Sequence, residues 1–334
     1  MNLAAFIATK LGKALGVLLG VVVINFFLIR LAPGDPAQVL AGESGAGDAQ
    51  YVENLRRQFG LDQPLPTQLA LYLKGAVQLD LGYSYRNHVP VLDLILERLP
   101  ATLLLMAAAF VLSISLGVAL GALAARTRYR NRHRWLDSVV MSSAMLLYAT
   151  PLFWLSLLSI IVFSVLLGWF PAFGMETVTA GHTGWARVAD IGAHLVLPAG
   201  SLAAFFMAVY ARLTRASMLE VMGMDFVRTA RAKGVTAGRV LRVHVLRNAL
   251  MPVVTFAGVQ LGQLAGGAIL TETVFGWPGI GRLMFDALMQ RDYQLLLGVF
   301  LVTSAMVVGF NFVADLVYRL LGAGAASAGT RGTS

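Results

Sequence analysis

The chain has 334 residues, of which 57% are hydrophobic and 13% are charged, and its formal net charge at pH 7 is +9. A soluble globular protein carries about a quarter charged residues, so this composition excludes an ordinary soluble domain. The chain has no cysteine, which excludes disulfides, thiolate metal sites and lipid attachment through Cys.

Long apolar stretches without Asp, Glu, Lys or Arg recur along the sequence. A transmembrane helix needs about 20 apolar residues. The first stretch is short, but Lys10, Lys13 and Arg30 flank it and can extend to the lipid headgroups. We therefore predict an all-α integral membrane protein with six transmembrane helices. Their apolar stretches are residues 14–29, 99–125, 138–175, 191–211, 248–271 and 293–314.

Basic residues are concentrated between the second and third stretches, at 126–134, and between the fourth and fifth, at 212–247. Because cytoplasmic loops carry an excess of Lys and Arg, both termini are predicted to be cytoplasmic. Membrane topology and contact with membrane lipids then explain the net positive charge, and no nucleic-acid partner is expected.

Residues 31–98 follow the first membrane helix (1–30) and are predicted to form an extracytoplasmic helical insertion between spans 1 and 2. Helical spacing over 48–59 ends at Gly60, and a second helix is predicted over 65–77. A turn-rich passage at 80–84 precedes a helix that begins at Pro90 and continues into the second span. A solvated linker without its own structure is the alternative interpretation.

The loop over 213–247 contains the strongest functional pattern. Asp225 is predicted to cap a short helix, and Gly234 suits the left-handed position that ends one. Between them, Phe226, Val227 and Ala230 fall close to one face, while Arg228, Arg231 and Lys233 supply positive charge. Such a helix can fill a groove on a soluble partner. It can also lie on anionic headgroups, and the pattern alone does not choose between the two.

This loop resembles the coupling loop of permease subunits in the dipeptide, oligopeptide and nickel family of ABC importers. The resemblance rests on Arg-Thr-Ala-Arg-Ala-Lys-Gly at 228–234 and extends over nearly the whole chain, to about residue 320. The wider superfamily often has Glu followed by two Ala where this chain has Arg228, Thr229 and Ala230, which favours the peptide branch. Further matching segments are 33–36, 80–84, 90–91, 246–252, 270–281 and 291–293.

The resemblance implies a type I ABC importer permease fold in the bacterial inner membrane, with residues 99–321 as the ABC importer transmembrane domain. It implies a paralogous permease subunit, an extracytoplasmic substrate-binding protein and two cytoplasmic ATP-binding subunits, which would hold ATP and Mg²⁺. This chain itself is expected to bind no cofactor. The residues implied in coupling to the ATPase are Asp225, Phe226, Arg228, Thr229, Ala230, Arg231, Lys233 and Gly234.

Several alternatives stay open within the transport class. A passive channel or an ABC exporter subunit would also have apolar spans. If the chain is an importer, its substrate could be a nickel chelate or glutathione instead of peptide. The charge-free spans argue against an ion-coupled carrier, which needs ionisable groups inside the membrane. The sequence has no phosphate-binding P-loop, so ATP hydrolysis is assigned to partner subunits.

An enzymatic function is disfavoured. Gly42, Ser44 and Gly45 superficially match an intramembrane serine protease, but Ser44 lies in a predicted outer loop and no span offers a His base. The five histidines show no metal-ligand spacing. We therefore predict no catalytic residue and no metal site.

Amides inside the last two spans are candidates for the translocation pathway. Gln260 and Gln263 lie in the fifth span and Asn311 in the sixth, where an amide must pair with a neighbour or face water. Small residues at four-residue spacing, including Gly117 with Gly121 and Gly258 with Gly262 and Gly266, predict close helix packing within the subunit. The Gly- and Ala-rich tail at 322–334 is predicted to be disordered.

Overall fold

The fold is described from a computed structural model, which covers residues 3–31, 49–58, 60–84, 86–129 and 133–329. The matching segment at 33–36 and the Gly42, Ser44 and Gly45 pattern lie outside these described residues. Within them the backbone is helical apart from short connections and one small antiparallel ladder. An all-α membrane protein was predicted, and the helical class is confirmed.

The helices follow one another closely along the described chain. In order they are α1 (Leu3–Leu31), α2 (Ala49–Gln58), α3 (Leu65–Gln78), α4 (Val91–Tyr129), α5 (Arg134–Ala149), α6 (Leu152–Ser159), α7 (Gly184–Met222), α8 (Asp225–Ala232), α9 (Ala237–Arg239), α10 (Arg247–Phe275), α11 (Ile280–Met289) and α12 (Tyr293–Gly329). Two π-helical segments occur, Ile160–Leu166 after α6 and Val240–Leu246 between α9 and α10, with a 3₁₀ turn at Val178–Ala180. Strand β1 (Tyr83–Ser84) pairs with β2 (Val89–Pro90).

Five helices of the described chain are long and apolar enough to cross a membrane, and a bent pair of helices adds a sixth candidate. The count of six predicted from the charge-free stretches therefore agrees with the structure when the bent pair is taken as one span. The straight candidates are Ala5–Leu28, Val91–Tyr129, Gly184–Met222, Ala237–Gly266 and Tyr293–Leu316, and the bent pair is Arg134–Ala149 with Leu152–Leu166.

The third span differs from its prediction as one uninterrupted stretch over 138–175. α5 and the helix beginning at α6 meet at 107°. Pro151 has no backbone N–H, and it forces Thr150 out of the helical region, to φ −79° and ψ 128°. The apolar composition continues across the break, so composition alone did not reveal it.

The insertion before α4 folds largely as the residue pattern predicts. α2 is closed by Gly60, which has φ +63° and whose N–H bonds the Arg57 carbonyl at 3.1 Å. α3 begins after Pro64 at its N-cap. The turn-rich passage contains the two-stranded ladder, and α4 continues from Val91 through the second span without a break.

The last helix continues into the C-terminal region. The backbone of α12 is helical as far as Gly329, and the disordered tail at 322–334 stays a prediction.

Contacts divide the chain into two compact units. The first consists of Met1–Pro100 and Gly279–Gly309, and the second of Ala101–Pro278 and Phe310–Ser334. The first unit therefore joins the N-terminal region to α11 and the beginning of α12. Its core includes Val91, Ile95 and Val299, all fully buried.

In the second unit, α4 approaches α7 closely because of two glycines. A Cβ added at Gly117 would lie 2.9 Å from the Met207 carbonyl oxygen, and one at Gly121 would lie 2.7 Å from Cβ of Thr214. Gly258 on α10 similarly faces Ala314 of α12, with 2.8 Å between the added Cβ and the alanine Cβ. These glycines pack within the subunit, as their spacing predicted.

Candidate functional site

The loop between α7 and α10 holds α8, a short helix whose beginning differs from the sequence prediction. Met224, at φ −73° and ψ 150°, occupies the N-cap, and no side chain caps the helix. The prediction that Asp225 is the cap is wrong. Asp225 is the first helical residue, where its negative charge still interacts favourably with the helix dipole.

The end of α8 was predicted correctly at Gly234. This glycine has φ +77°, and its N–H donates to the Arg231 carbonyl at 2.9 Å. The next N–H, of Val235, donates to the Ala230 carbonyl at 3.2 Å. Together these bonds form a Schellman motif, which satisfies the last carbonyls and turns the chain sharply toward α9.

The inner face of α8 is fixed by packing. Val227 is fully buried and Ala230 is 8% exposed. Both belong to a hydrophobic cluster that brings together residues of three membrane helices, α4, α7 and α10, and of the loop. Its buried members are Ala125, Met218, Val221, Met222, Val227, Ala230, Val240, Val245 and Ala249. A displacement of α8 must therefore push on α4, α7 and α10, because close-packed cores transmit strain.

The outer surface of α8 has two exposed apolar side chains and several exposed charged ones. Phe226 is 42% exposed and Met224 is 41% exposed. Arg228, Thr229 and Lys233 are also exposed. The Arg228 guanidinium lies 3.4 Å from Asp225, and both side chains are largely in solvent, so the pair contributes little to stability. This surface, comprising residues 224–226, 228, 229 and 233, is called the docking surface below.

Arg231 is placed differently from the other basic residues of α8. Its guanidinium carbon lies 4.7 Å from the centroid of the Tyr129 ring, and its N–H donates to the Tyr129 hydroxyl. The residue therefore ties α8 to the end of α4. Sequence reasoning grouped Arg231 with Arg228, and the structure separates them.

An ion pair that sequence reasoning missed joins α5 to α7. Arg215 donates through Nε to Asp137 Oδ1 at 2.5 Å and through Nη2 to Oδ2 at 2.8 Å. The Asp137 side chain is 7% exposed and that of Arg215 is 26% exposed. A bidentate pair of this kind fixes both position and orientation. The available signal was the position of Asp137 directly before a charge-free stretch.

The three candidate pathway amides do not share one environment. Gln260 is 2% exposed, and its Oε1 has no hydrogen-bond partner among the described residues. Gln263 and Asn311 are exposed on α10 and α12. On helices of this apolar character, exposed amides need a protein partner or water.

Several segments that resemble the importer family connect distant parts of the chain within each unit. In the first unit, Ser84 donates to Asp292 Oδ2 at 2.5 Å. In the second, Thr102 donates to Glu272 Oε1 at 2.7 Å, and the Trp277 indole donates to the Ala101 carbonyl at 2.9 Å. These residues are buried and act in packing.

Among the described residues, no group of three or more His, Cys, Asp and Glu side chains is arranged to hold a metal ion. The candidate site is accordingly a docking surface with a packed inner face. Its geometry can receive a partner and transmit movement to membrane helices.

Comparison with known proteins gives two family matches. Residues 117–326 match the family described as "Binding-protein-dependent transport system inner membrane component". Residues 3–106 match the N-terminal region of such membrane components. Together the matches include α8 and nearly all of the described chain.

Individual relatives agree with these matches. The di/tripeptide transport system permease protein of Pseudomonas aeruginosa (strain UCBPP-PA14) is 40% identical over 332 residues, covering 95% of this chain and 97% of the relative. The dipeptide transport system permease protein of Escherichia coli (strain K12) is 37% identical over 335 residues, with the same coverage of both chains.

A similar fold is found in a solved structure of the MetNI methionine ABC transporter in an inward-facing conformation. The TM-score is 0.56, and the match covers 68% of this chain and 95% of that chain at 19% sequence identity. At this identity the likeness concerns the fold, which is that of an ABC transporter permease.

Proposed function

The chain belongs to the family of binding-protein-dependent transport system inner membrane components, and on that premise we propose that it is a permease subunit of an ATP-driven peptide importer. It is a multi-pass protein of the bacterial inner membrane. The observation that carries the proposal is α8, whose inner face is buried among the ends of membrane helices while Phe226 stays exposed.

Peptides are the proposed substrate class. The support is the identity of 37% and 40% to permeases named for dipeptide and di/tripeptide transport, over almost the full length of each chain. An extracytoplasmic binding protein delivers the peptide, and a paralogous permease subunit supplies the other half of the pore. The chain itself is a transport subunit and carries out no chemical step.

The coupling role belongs to α8 and the residues that fix it. With both termini in the cytoplasm, the loop that contains α8 is cytoplasmic. Two ATP-binding subunits, which hold ATP and Mg²⁺, each engage one permease, and the docking surface of this chain enters a cleft on one of them. ATP-driven closure then moves α8, and the packed cluster passes the movement to α4, α7 and α10.

Gln260, Gln263 and Asn311 are proposed to face the translocation pathway. Two of them are exposed in the isolated subunit, as expected of residues that line a path completed by a second permease. Replacing all three by Ala is expected to reduce peptide uptake and transport-coupled ATPase activity. Unchanged values for both would exclude these amides from the pathway.

The assignment is tested by purifying the tagged chain from native membranes in mild detergent and identifying its companions by mass spectrometry. Recovery of ATP-binding proteins and a second six-span permease is expected. An unrelated tagged six-span protein from the same membranes is the control. Recovery of the chain alone, under conditions that keep other membrane complexes intact, would overturn the assignment.

Substrate class is tested separately by uptake of a labelled dipeptide into cells that depend on this chain. Unlabelled dipeptides and tripeptides with ordinary α-peptide bonds are expected to compete, whereas a nickel chelate or glutathione, whose first bond is made by a γ-carboxyl group, is not. Competition by either of the latter, without competition by peptides, would replace the peptide assignment while leaving the ATP-driven importer in place.

A further inference from the structure

A cavity of about 260 Å³ lies beside α8 in the second unit. Its lining includes Arg126 and Tyr129 at the end of α4, Arg231 of α8, and Arg242 of the second π-helical segment, which are called its basic rim below. The rest of the lining is largely apolar, includes Met222 and Leu241, and is called its apolar floor below.

The charge of this cavity is not balanced by its own lining. Three arginines from three different elements line it, and no acidic side chain is among the described residues that line it. All three arginines are exposed, so an anion can reach them from outside the chain. Arginine is also the side chain best suited to phosphate, because its planar fork donates two parallel hydrogen bonds.

We propose that this cavity binds the phosphate of an anionic membrane phospholipid. Arg126 directly follows the charge-free part of α4, which places the rim at the depth of the headgroups. On the cytoplasmic side of a membrane protein, basic pockets between spans bind anionic headgroups. The apolar floor then accepts the glycerol and the first carbons of the lipid.

The position of the cavity distinguishes a lipid from other anions. A free phosphate ion is fully hydrated and gains nothing from the apolar floor formed by residues such as Met222. An acidic segment of a soluble partner would be expected at the docking surface, whereas the Arg231 guanidinium lies against Tyr129 of α4. A bound lipid would thus brace the contact between α8 and α4.

The test uses the full-length chain in detergent and native mass spectrometry with phosphatidylglycerol and phosphatidylcholine. Selective retention of phosphatidylglycerol is expected. The R126Q/R242Q variant is expected to retain at least about tenfold less, since each lost guanidinium removes charge-assisted hydrogen bonds. The matched control, R128Q/R239Q, makes the same change of net charge outside the cavity and is expected to bind as the unchanged chain does.

A second variant keeps every arginine in place. A Cβ added at Gly238, another residue of the lining, meets no atom within 4 Å, so Gly238→Leu adds an apolar side chain beside the cavity without a clash and is expected to exclude the lipid. Equal retention of both lipids, an equal loss in R128Q/R239Q, retention by Gly238→Leu, or displacement by millimolar inorganic phosphate would each overturn the proposal. The measurement involves no transport, so these outcomes leave the importer assignment untouched.

Discussion

Gly234 has a backbone conformation that fixes the direction of the chain where α8 ends and the segment toward α9 begins. Its φ of +77° lies in the left-handed region, which a side chain with Cβ enters only at a cost of about 1 kcal/mol or more. Its N–H is also used, as the donor to the Arg231 carbonyl. Both properties are lost together in proline, which locks φ near −65° and has no N–H.

Gly234→Pro is therefore expected to uncouple ATP hydrolysis from transport while the subunit still inserts into the membrane. The quantity to measure is peptide taken up per ATP hydrolysed by the reconstituted complex. Gly192→Ala is the control, because a Cβ there meets no atom within 4 Å and φ is not positive. A normal ratio in Gly234→Pro would contradict the role assigned to this turn.

The ion pair between Asp137 and Arg215 is expected to stabilise the folded subunit. Because Asp137 is 7% exposed, Asp137→Asn leaves a poorly solvated guanidinium and is expected to destabilise the subunit by about 2 kcal/mol or more. The reversed pair, Asp137→Arg with Arg215→Asp, should recover part of this. Thermal unfolding in detergent measures both.

Asp225→Asn is the matched control for that pair, since Asp225 contacts Arg228 in nearly full solvent. It should lower the unfolding temperature only slightly, because the ion pair is in solvent and only a weak interaction with the helix dipole is lost. If Asp137→Asn lowered the unfolding temperature no more than this control does, the bidentate pair would not stabilise the subunit.

At the scale of elements, α8 has a buried packing face and an exposed docking surface. Two adjacent residues, Val227 and Phe226, lie on these two faces and can be used to test each one. Val227 is fully buried, so Val227→Ala should lower the free energy of unfolding by about 2 kcal/mol. Phe226→Ala should leave the unfolding temperature within error and reduce transport-coupled ATPase activity. Thermal unfolding and ATPase assays on both variants make the comparison, and the opposite pattern would contradict the assignment of faces.

Close approach of α4 to α7 depends on a glycine. A Cβ at Gly121 would lie 2.7 Å from Cβ of Thr214 and closer still to the Ala211 carbonyl oxygen, so Gly121→Ala must push the helices apart. Overpacking of this kind costs about 1–3 kcal/mol. Gly200→Ala, which meets no atom within 4 Å, is the control. A lower unfolding temperature is expected only for Gly121→Ala.

The sequence predicted elements well where the signal was local. The end of α2 at Gly60 and of α8 at Gly234 followed from the backbone freedom of glycine, and both have positive φ. The Asp225 cap failed because Met224 takes the extended backbone position and Asp225 is already helical. The break at Pro151 was hidden by a composition that stays apolar on both sides.

Contacts between distant segments were beyond prediction from residue patterns. The Ser84 bond to Asp292 and the Arg231 contact with Tyr129 join parts of the chain far apart in sequence. Periodicity and capping concern neighbours along the chain, and they carry no signal for such pairs. The short helix that carries the predicted coupling residues was therefore predictable, but the division of these residues into exposed and buried members was not, and their role in coupling stays a prediction.

For the whole molecule, the proposed topology puts α8 and the 3₁₀ turn at Val178–Ala180 on opposite sides of the membrane. The chain has no cysteine, so labelling of a single introduced cysteine can be measured without reaction at other thiols of the chain. Val178→Cys, at a site 87% exposed, should react with a membrane-impermeant maleimide in spheroplasts. Lys233→Cys should react only after permeabilisation. The reverse labelling would invert the topology and remove α8 from the cytoplasm.

The central claim is that α8 docks on an ATP-binding subunit. Thr229→Cys tests it directly in the assembled complex, because this side chain is exposed and donates to the Asp225 carbonyl of its own helix, at 3.0 Å. With a short thiol-to-amine cross-linker, we expect a product containing this chain and one ATP-binding subunit, and no such product from Val178→Cys. Absence of that product from Thr229→Cys in an intact, active complex, or its equal formation from Val178→Cys, would contradict the claim.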